Sequence, residues 1–111
     1  PQDVASLLTP FLPIIQSTGI KTHFYLIGTG GMRHLPANQQ QAIYEAIKAY
    51  LTTHTQVDLK FVGTIEGQEE GIYGWLAANY SEHKLLGQTI GLLDMGGATT
   101  EIAYERDTPL Q

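Results

Sequence analysis

With 111 residues the chain has room for one domain, able to bury about two-thirds of the surface its unfolded form exposes. An apolar share of 42%, with six Tyr, three Phe and Trp75, excludes a chain disordered throughout, and the absence of cysteine excludes disulfides, thiolate zinc sites and cysteine nucleophiles. Eleven acids against six bases give a net charge of −5, which excludes non-specific nucleic-acid binding but not phosphate ligands, since amides and divalent metals hold those without basic side chains.

No apolar run approaches the ~20 residues of a membrane-spanning helix. The start, Pro1-Gln2-Asp3, has neither an initiating Met nor a basic or apolar signal core, and residues 107–111 end just after a strand-like run. An internal fragment of a longer protein is therefore expected.

In chain order, Val4, Leu7, Leu8, Phe11, Leu12 and Ile15 form a helical stripe over residues 4–16, with Asp3 as candidate N-cap. Pro10 and Pro13 predict that this helix is short and broken. Residues 17–19 read as a turn and 22–27 as a strand, followed by the glycine-rich loop Gly28-Thr29-Gly30-Gly31. After Pro36 and the candidate cap Asn38, the residues Ile43, Tyr44, Ile47, Tyr50 and Leu51 mark the clearest amphipathic helix.

Residues 57–63 read as a second strand and 65–67 as the loop leaving it. A further helix is predicted over 68–80, with Ile72, Tyr73, Leu76 and Tyr80 as its stripe and Tyr73, Trp75 and Tyr80 as core residues. Gly71 and Gly74 each weaken that helix by about 1 kcal/mol, so a packing or access reason is expected at both. Residues 89–94 and 99–104 read as a hairpin turning through Met95-Gly96-Gly97-Ala98. The order of elements predicts an α/β fold. His23, His34, His54 and His83 are scattered without ligand spacing, and no Ser, His and Asp arrangement suggests acyl transfer.

Three constellations have chemistry within reach. Gly28–Gly31, followed by Met32-Arg33, can form an amide nest for an anion with a hydroxyl (Thr29) and a cation (Arg33) nearby, or can be a flexible turn. It matches neither G-x-G-x-x-G nor the lysine-terminated phosphate loop. Glu66, Glu69 and Glu70 crowd a strand–helix junction, where acids either cap the helix or supply a general base beside a metal or an arginine. In Asp94-Met95-Gly96-Gly97-Ala98-Thr99-Thr100-Glu101, turn amides suit a phosphate and the flanking acids suit a hydrated divalent cation, beyond what a plain hairpin turn requires.

Taken together, GTGGMRHLP, EGQEEGIYGWLAANY and LLDMGGATTEI resemble the second, third and fourth signature regions of the apyrase family. These are the nucleoside triphosphate diphosphohydrolases, distant relatives of actin and the exopolyphosphatases. The resemblance runs from Phe24 to Tyr104, and the combination of Gln68-Glu69-Glu70-Gly71, Tyr73-Gly74-Trp75 and Asn79-Tyr80 is its specific part. It implies two RNase H-like lobes of the actin-like ATPase kind with the active site in the cleft between them. Residues 1–84 would form a partial first lobe. Residues 85–111 would start the second, with its phosphate-binding hairpin at 88–105. The family's first region, an Asp-Ala-Gly-Ser-like loop, and its fifth have no counterpart in the sequence, so the chain by itself is expected to be inactive.

The same resemblance implies roles residue by residue. Glu70 matches the base that deprotonates the attacking water, and Asp94 the acid that organises hydrated Mg²⁺ or Ca²⁺. Gly96, Gly97 and Ala98 match the phosphate-wrapping amides, while Thr29 and Arg33 match the phosphate-binding Thr and Arg of the second region. Thr99 stands where the family has Ser and keeps a hydroxyl for the water. Gly30 stands for Ala, and Glu101 for the Gln that helps orient the water. That added charge requires compensation and resembles the exopolyphosphatase branch.

The implied activity is removal of terminal phosphates from nucleoside tri- and diphosphates. An exopolyphosphatase or guanosine-pentaphosphate phosphohydrolase is the near alternative, and a nucleotide-binding module without turnover the distant one. The resemblance further implies a secreted or extracytoplasmic location. Open sheet edges in such a fragment would favour a homodimer.

Overall fold

The computed structural model describes residues 2–17 and 21–107. The turn expected at 17–19 falls largely outside these residues; within them, Ser17 is the last residue of a helix. The chain divides into two compact units: Pro1–Gly28 with Leu35–Thr64, and Thr29–His34 with Ile65–Gln111.

The first unit begins with α1 (Gln2–Leu8), a 3-10 turn (Thr9–Phe11) and α2 (Leu12–Ser17). This is the broken helix that the prolines predict. Pro10 sits in the first turn of the 3-10 segment, and Pro13 is the second residue of α2, where a missing N–H costs nothing. Asp3 lies inside the first turn of α1 rather than at its cap. Of the expected stripe, Leu8 is buried and Val4, Leu12 and Ile15 are half-buried, whereas Leu7 and Phe11 are exposed.

Strands β1 (His23–Gly28) and β2 (Asp58–Thr64) run parallel and adjacent. The 18-residue helix α4 (Ala37–His54) makes the crossover that parallel strands require. The expected period holds: Tyr44, Ile47 and Leu51 are buried. Asn38 is inside the helix, because the Pro36 carbonyl already accepts the amides of Gln39 (3.0 Å) and Gln40 (3.1 Å).

At the end of β2, Thr64 donates to Gln40 Oε1 at 2.6 Å, so the Tyr44 hydroxyl donates to Thr64 at 2.5 Å. Register slips by one residue at Lys60, since Phe24 faces Leu59 and Tyr25 faces Phe61. Lys60 Nζ lies 2.6 Å from Asp58 Oδ2, and this hydrogen bond holds the Asp58 carboxyl below its usual range and raises the lysine.

The second unit holds a single helical turn, α3 (Gly30–Arg33), the helix α5 (Gly67–Ser81), and the strands β3 (Leu92–Met95) and β4 (Thr100–Ala103). The strands form the expected antiparallel hairpin in shorter form, with Leu92 opposite Ala103 and Asp94 opposite Glu101. Its turn is closed by Gly96 N–H donating to the Thr99 carbonyl at 3.0 Å.

Helix α5 meets this hairpin on a different face from the one expected. Ile72 and Leu76 are exposed, as are Tyr73 (52%) and Tyr80 (75%), so neither tyrosine is a core residue, and Trp75 is only half-buried. The covered face carries Gly71 and Asn79, with Gly67, Gly74 and Ala78 beside them. A Cβ on Gly71 would lie 3.6 Å from Glu101 Cβ, and one on Gly74 only 2.6 Å from Leu92 Cδ2. A Leu92 methyl fills the space beside Gly74 and is the packing reason for that glycine, whereas the 3.6 Å at Gly71 is an ordinary contact that does not require one.

Candidate active site

The strand-to-helix junction at 65–70 sorts the three neighbouring glutamates. Glu66 is the N-cap of α5, and Glu69, three positions on, accepts its backbone N–H at Oε2 (2.9 Å), the return half of a capping box. For these two acids, capping is the observed role. Glu70 points elsewhere. Its Oε2 accepts a hydrogen bond from Arg33 Nη2 at 2.9 Å, and both side chains are only 18% exposed.

Arg33 comes from α3. The glycine loop expected at 28–31 gives way to this helical turn, and the amides of Met32 and Arg33 are both spent on the Thr29 carbonyl at 3.0 Å. Thr29 itself is the N-cap of α3, and its hydroxyl makes no cap hydrogen bond. The guanidinium is anchored by Nη1 donating to the Ile65 carbonyl at 2.8 Å. Its Nη2 also reaches Thr99 Oγ1 at 3.3 Å and Glu101 Oε1 at 3.5 Å.

The hairpin supplies the remaining groups. Asp94 and Glu101 are opposite each other in the ladder, so both side chains leave the same face. Carboxylate oxygens of Glu70, Asp94 and Glu101 lie within 4.8 Å of one another, the only such cluster among the described residues. One guanidinium faces these three acids, which leaves two negative charges if all are ionised. Glu101 is 8% exposed, and its Oε2 is buried without a hydrogen-bond partner.

An orphaned carboxylate oxygen is costly, and a divalent cation is the partner that would satisfy both it and the residual charge. The donor set, all oxygen, fits Mg²⁺ or Ca²⁺ rather than a softer metal. The turn residues Gly96, Gly97 and Ala98 are exposed. A Cβ on Gly97 would meet nothing within 4 Å, so packing within the fold does not require glycine there.

Sequence reasoning named Arg33 for phosphate binding and Asn79 only as part of the motif. It did not anticipate that Arg33 would pair with Glu70 and Glu101 as well. It also gave Asn79 no physical task. Asn79 is fully buried, its Nδ2 donates to the carbonyls of Trp75 and Ile90 (3.0 Å each), and its Oδ1 accepts the Ile90 N–H at 2.8 Å. The histidines stand apart from the cluster, as their spacing predicts. His54 stacks on Tyr50 at 4.2 Å, and His83 adopts a positive φ of 55° at the end of α5.

A model of the GDA1/CD39 (nucleoside phosphatase) family matches residues 2–110. The chain is 35% identical over a 104-residue alignment to ectonucleoside triphosphate diphosphohydrolase 2 of Homo sapiens, covering 81% of this chain and 21% of that protein. It is 31% identical over a 128-residue alignment to nucleoside-diphosphatase mig-23 of Caenorhabditis briggsae, covering 95% and 23%. Identity to nucleoside-triphosphatase ntp-1 of Caenorhabditis elegans is 34%, covering 95% and 21%. The chain thus spans less than a quarter of the length of these curated relatives.

Proposed function

Because the chain belongs to the GDA1/CD39 (nucleoside phosphatase) family, we propose that it carries part of the active site of a divalent-metal-dependent phosphohydrolase acting on nucleoside tri- and diphosphates. The observation that carries this reading is the convergence of Glu70, Thr99 and Glu101 on one guanidinium, with Asp94 beside them. Names of relatives that specify nucleoside diphosphatase, triphosphatase and triphosphate diphosphohydrolase support the substrate class.

On this reading Glu70 is the general base and takes a proton from the attacking water. Thr99 and Glu101 orient that water. The Thr99 oxygen accepts from Arg33 and retains an O–H and a lone pair for a further partner. The amides of Gly97 and Ala98, together with Thr29 and Arg33, hold the phosphates, whereas the Gly96 amide, expected to join them, is spent on the Thr99 carbonyl; the five N–H donors of an arginine can serve both a phosphate and the acids. Asp94, through water, and the free oxygen of Glu101 would hold Mg²⁺ or Ca²⁺, which when bound supplies charge neutralisation at the phosphates. Positioning and fixed electrostatics supply most of the acceleration in such phosphoryl transfers.

Residues 1–84 then belong to a first RNase H-like lobe and 85–111 to the start of a second. The ecto- prefix in the human relative's name supports a location outside the cytosol. No helix among the described residues is long and apolar enough to cross a membrane.

Glu101 favours a polyphosphate substrate, and Arg33, which also pairs with Glu70 at 2.9 Å, offsets its charge only in part from 3.5 Å. The test is phosphate release by the intact protein from ATP, ADP and polyphosphate, with Mg²⁺ or Ca²⁺ and after chelation. ATP and ADP are expected to be hydrolysed and chelation to abolish it. Release from polyphosphate alone would replace this reading with the exopolyphosphatase one, and nucleotide binding without release would leave a module lacking turnover.

A further inference from the structure

Gly30 has no conformational need to be glycine. Among the described glycines only Gly87 has a positive φ, so the backbone at position 30 is one that any L-residue adopts. Space is what excludes a side chain. A Cβ on Gly30 would lie 2.7 Å from Thr99 Cγ2, 2.7 Å from Thr99 Oγ1 and 3.2 Å from Thr99 Cβ. Comfortable carbon contacts begin near ~3.5 Å.

Threonine cannot turn out of this conflict cheaply. It is branched at Cβ and stiff at χ1, and two of its substituents already face Gly30, so rotation that removes one heavy atom leaves the other there. Any larger displacement moves Oγ1 away from Arg33 Nη2, 3.3 Å distant.

We propose that Gly30 and Thr99 are a fitted pair, in which the volume left empty at position 30 seats the Thr99 side chain and aims its hydroxyl into the acidic cluster. Gly30 is then a positioning residue that acts on the reaction only through Thr99. The inference rests on the role given to Thr99 above. It makes a specific claim: a methyl group added at position 30 damages the site, and removal of Cγ2 at position 99 relieves one of the two 2.7 Å contacts and leaves the hydroxyl alone to shift.

The experiment is a double-mutant cycle in the intact protein with Gly30→Ala, Thr99→Ser and the two combined. Each is assayed for kcat and KM on ATP with saturating Mg²⁺, and each is melted thermally. Sub-ångström to ångström displacement of a positioned group costs up to about 100-fold, so Gly30→Ala is expected to lower kcat by ~10–100-fold while KM stays within about threefold. Thr99→Ser keeps the hydroxyl and is expected to lose less than about fivefold, and the combined variant is expected to turn over faster than Gly30→Ala but slower than Thr99→Ser, because Oγ1 still meets the added methyl.

The melting temperatures are expected to show the same non-additivity. A combined variant no faster than Gly30→Ala, or Gly30→Ala turning over at the parent rate, overturns the proposal. A parent that hydrolyses neither ATP nor ADP sinks the reading of the site instead, and the melting cycle then decides the fitted pair alone, additive changes overturning it.

Discussion

At the first turn of α5, Glu69 accepts the amide hydrogen of Glu66, while Glu70, one residue on and about 100° around the helix, meets Arg33. This division predicts how two isosteric substitutions differ. Glu70→Gln keeps volume but removes proton acceptance, and general-base catalysis contributes about 10²–10⁴-fold, so kcat of the intact protein is expected to fall by that much with KM little changed. Glu69→Gln retains a carbonyl oxygen for the Glu66 amide and is expected to leave kcat within about threefold, since its acceptor bond is structural. Steady-state phosphate release from ATP checks both. Inactivation by Glu69→Gln with Glu70→Gln spared would reverse the assignment.

Among elements, the docking of α5 on the β3–β4 hairpin decides whether Glu70 and the hairpin acids share a site. Two devices hold it. The Leu92 side chain packs into the space that Gly74 leaves, and Asn79 bonds both polar groups of Ile90, as a neighbouring strand would. Asn79→Leu removes every one of these bonds and leaves Ile90 N–H and C=O without their protein partner, a loss of about 1–3 kcal/mol for such groups. Denaturant unfolding is expected to show a destabilisation of that size, and kcat is expected to fall with it because Asp94 and Glu101 lose their register against Glu70. A change below about 0.5 kcal/mol, within the range of ordinary surface substitutions, would show that the latch does not hold the hairpin.

For the molecule as a whole, each unit contains a two-stranded sheet with apolar side chains left uncovered. Tyr25, Ile27 and Phe61 are exposed in the first unit, and Leu93, Met95 and Ile102 in the second. Unpaired strand edges beside apolar surface are templates for association. The 111-residue chain on its own is therefore expected to self-associate, with a mass that rises with concentration in multi-angle light scattering. A constant monomer mass into the hundred-micromolar range would count against this.

Much of the architecture was legible because it is written in near neighbours. Pro10 and Pro13 break the first helix through their own missing N–H groups, Tyr44, Ile47 and Leu51 repeat at the period of α4, and the glycines at 96 and 97 mark the hairpin turn. The spacing of the three motifs also carried the family. The buried face of α5 was not legible, because hydrophobic periodicity favours the large residues Ile72, Tyr73, Leu76 and Tyr80, whereas the hairpin packs on the face that carries Gly71 and Asn79. Nor was the compensation of Glu101, since Arg33 lies 68 positions earlier. In the sequence, Gly30 and Thr99 lie in two separate motifs. In the tertiary structure they meet, and the space that one leaves is the space the other fills. Local periodicity and turn chemistry depend on residues a few positions apart, so the sequence alone decides them. Which charges pair and which volumes exclude each other depends on contacts across some 37 to 68 positions, and only the folded chain decides those.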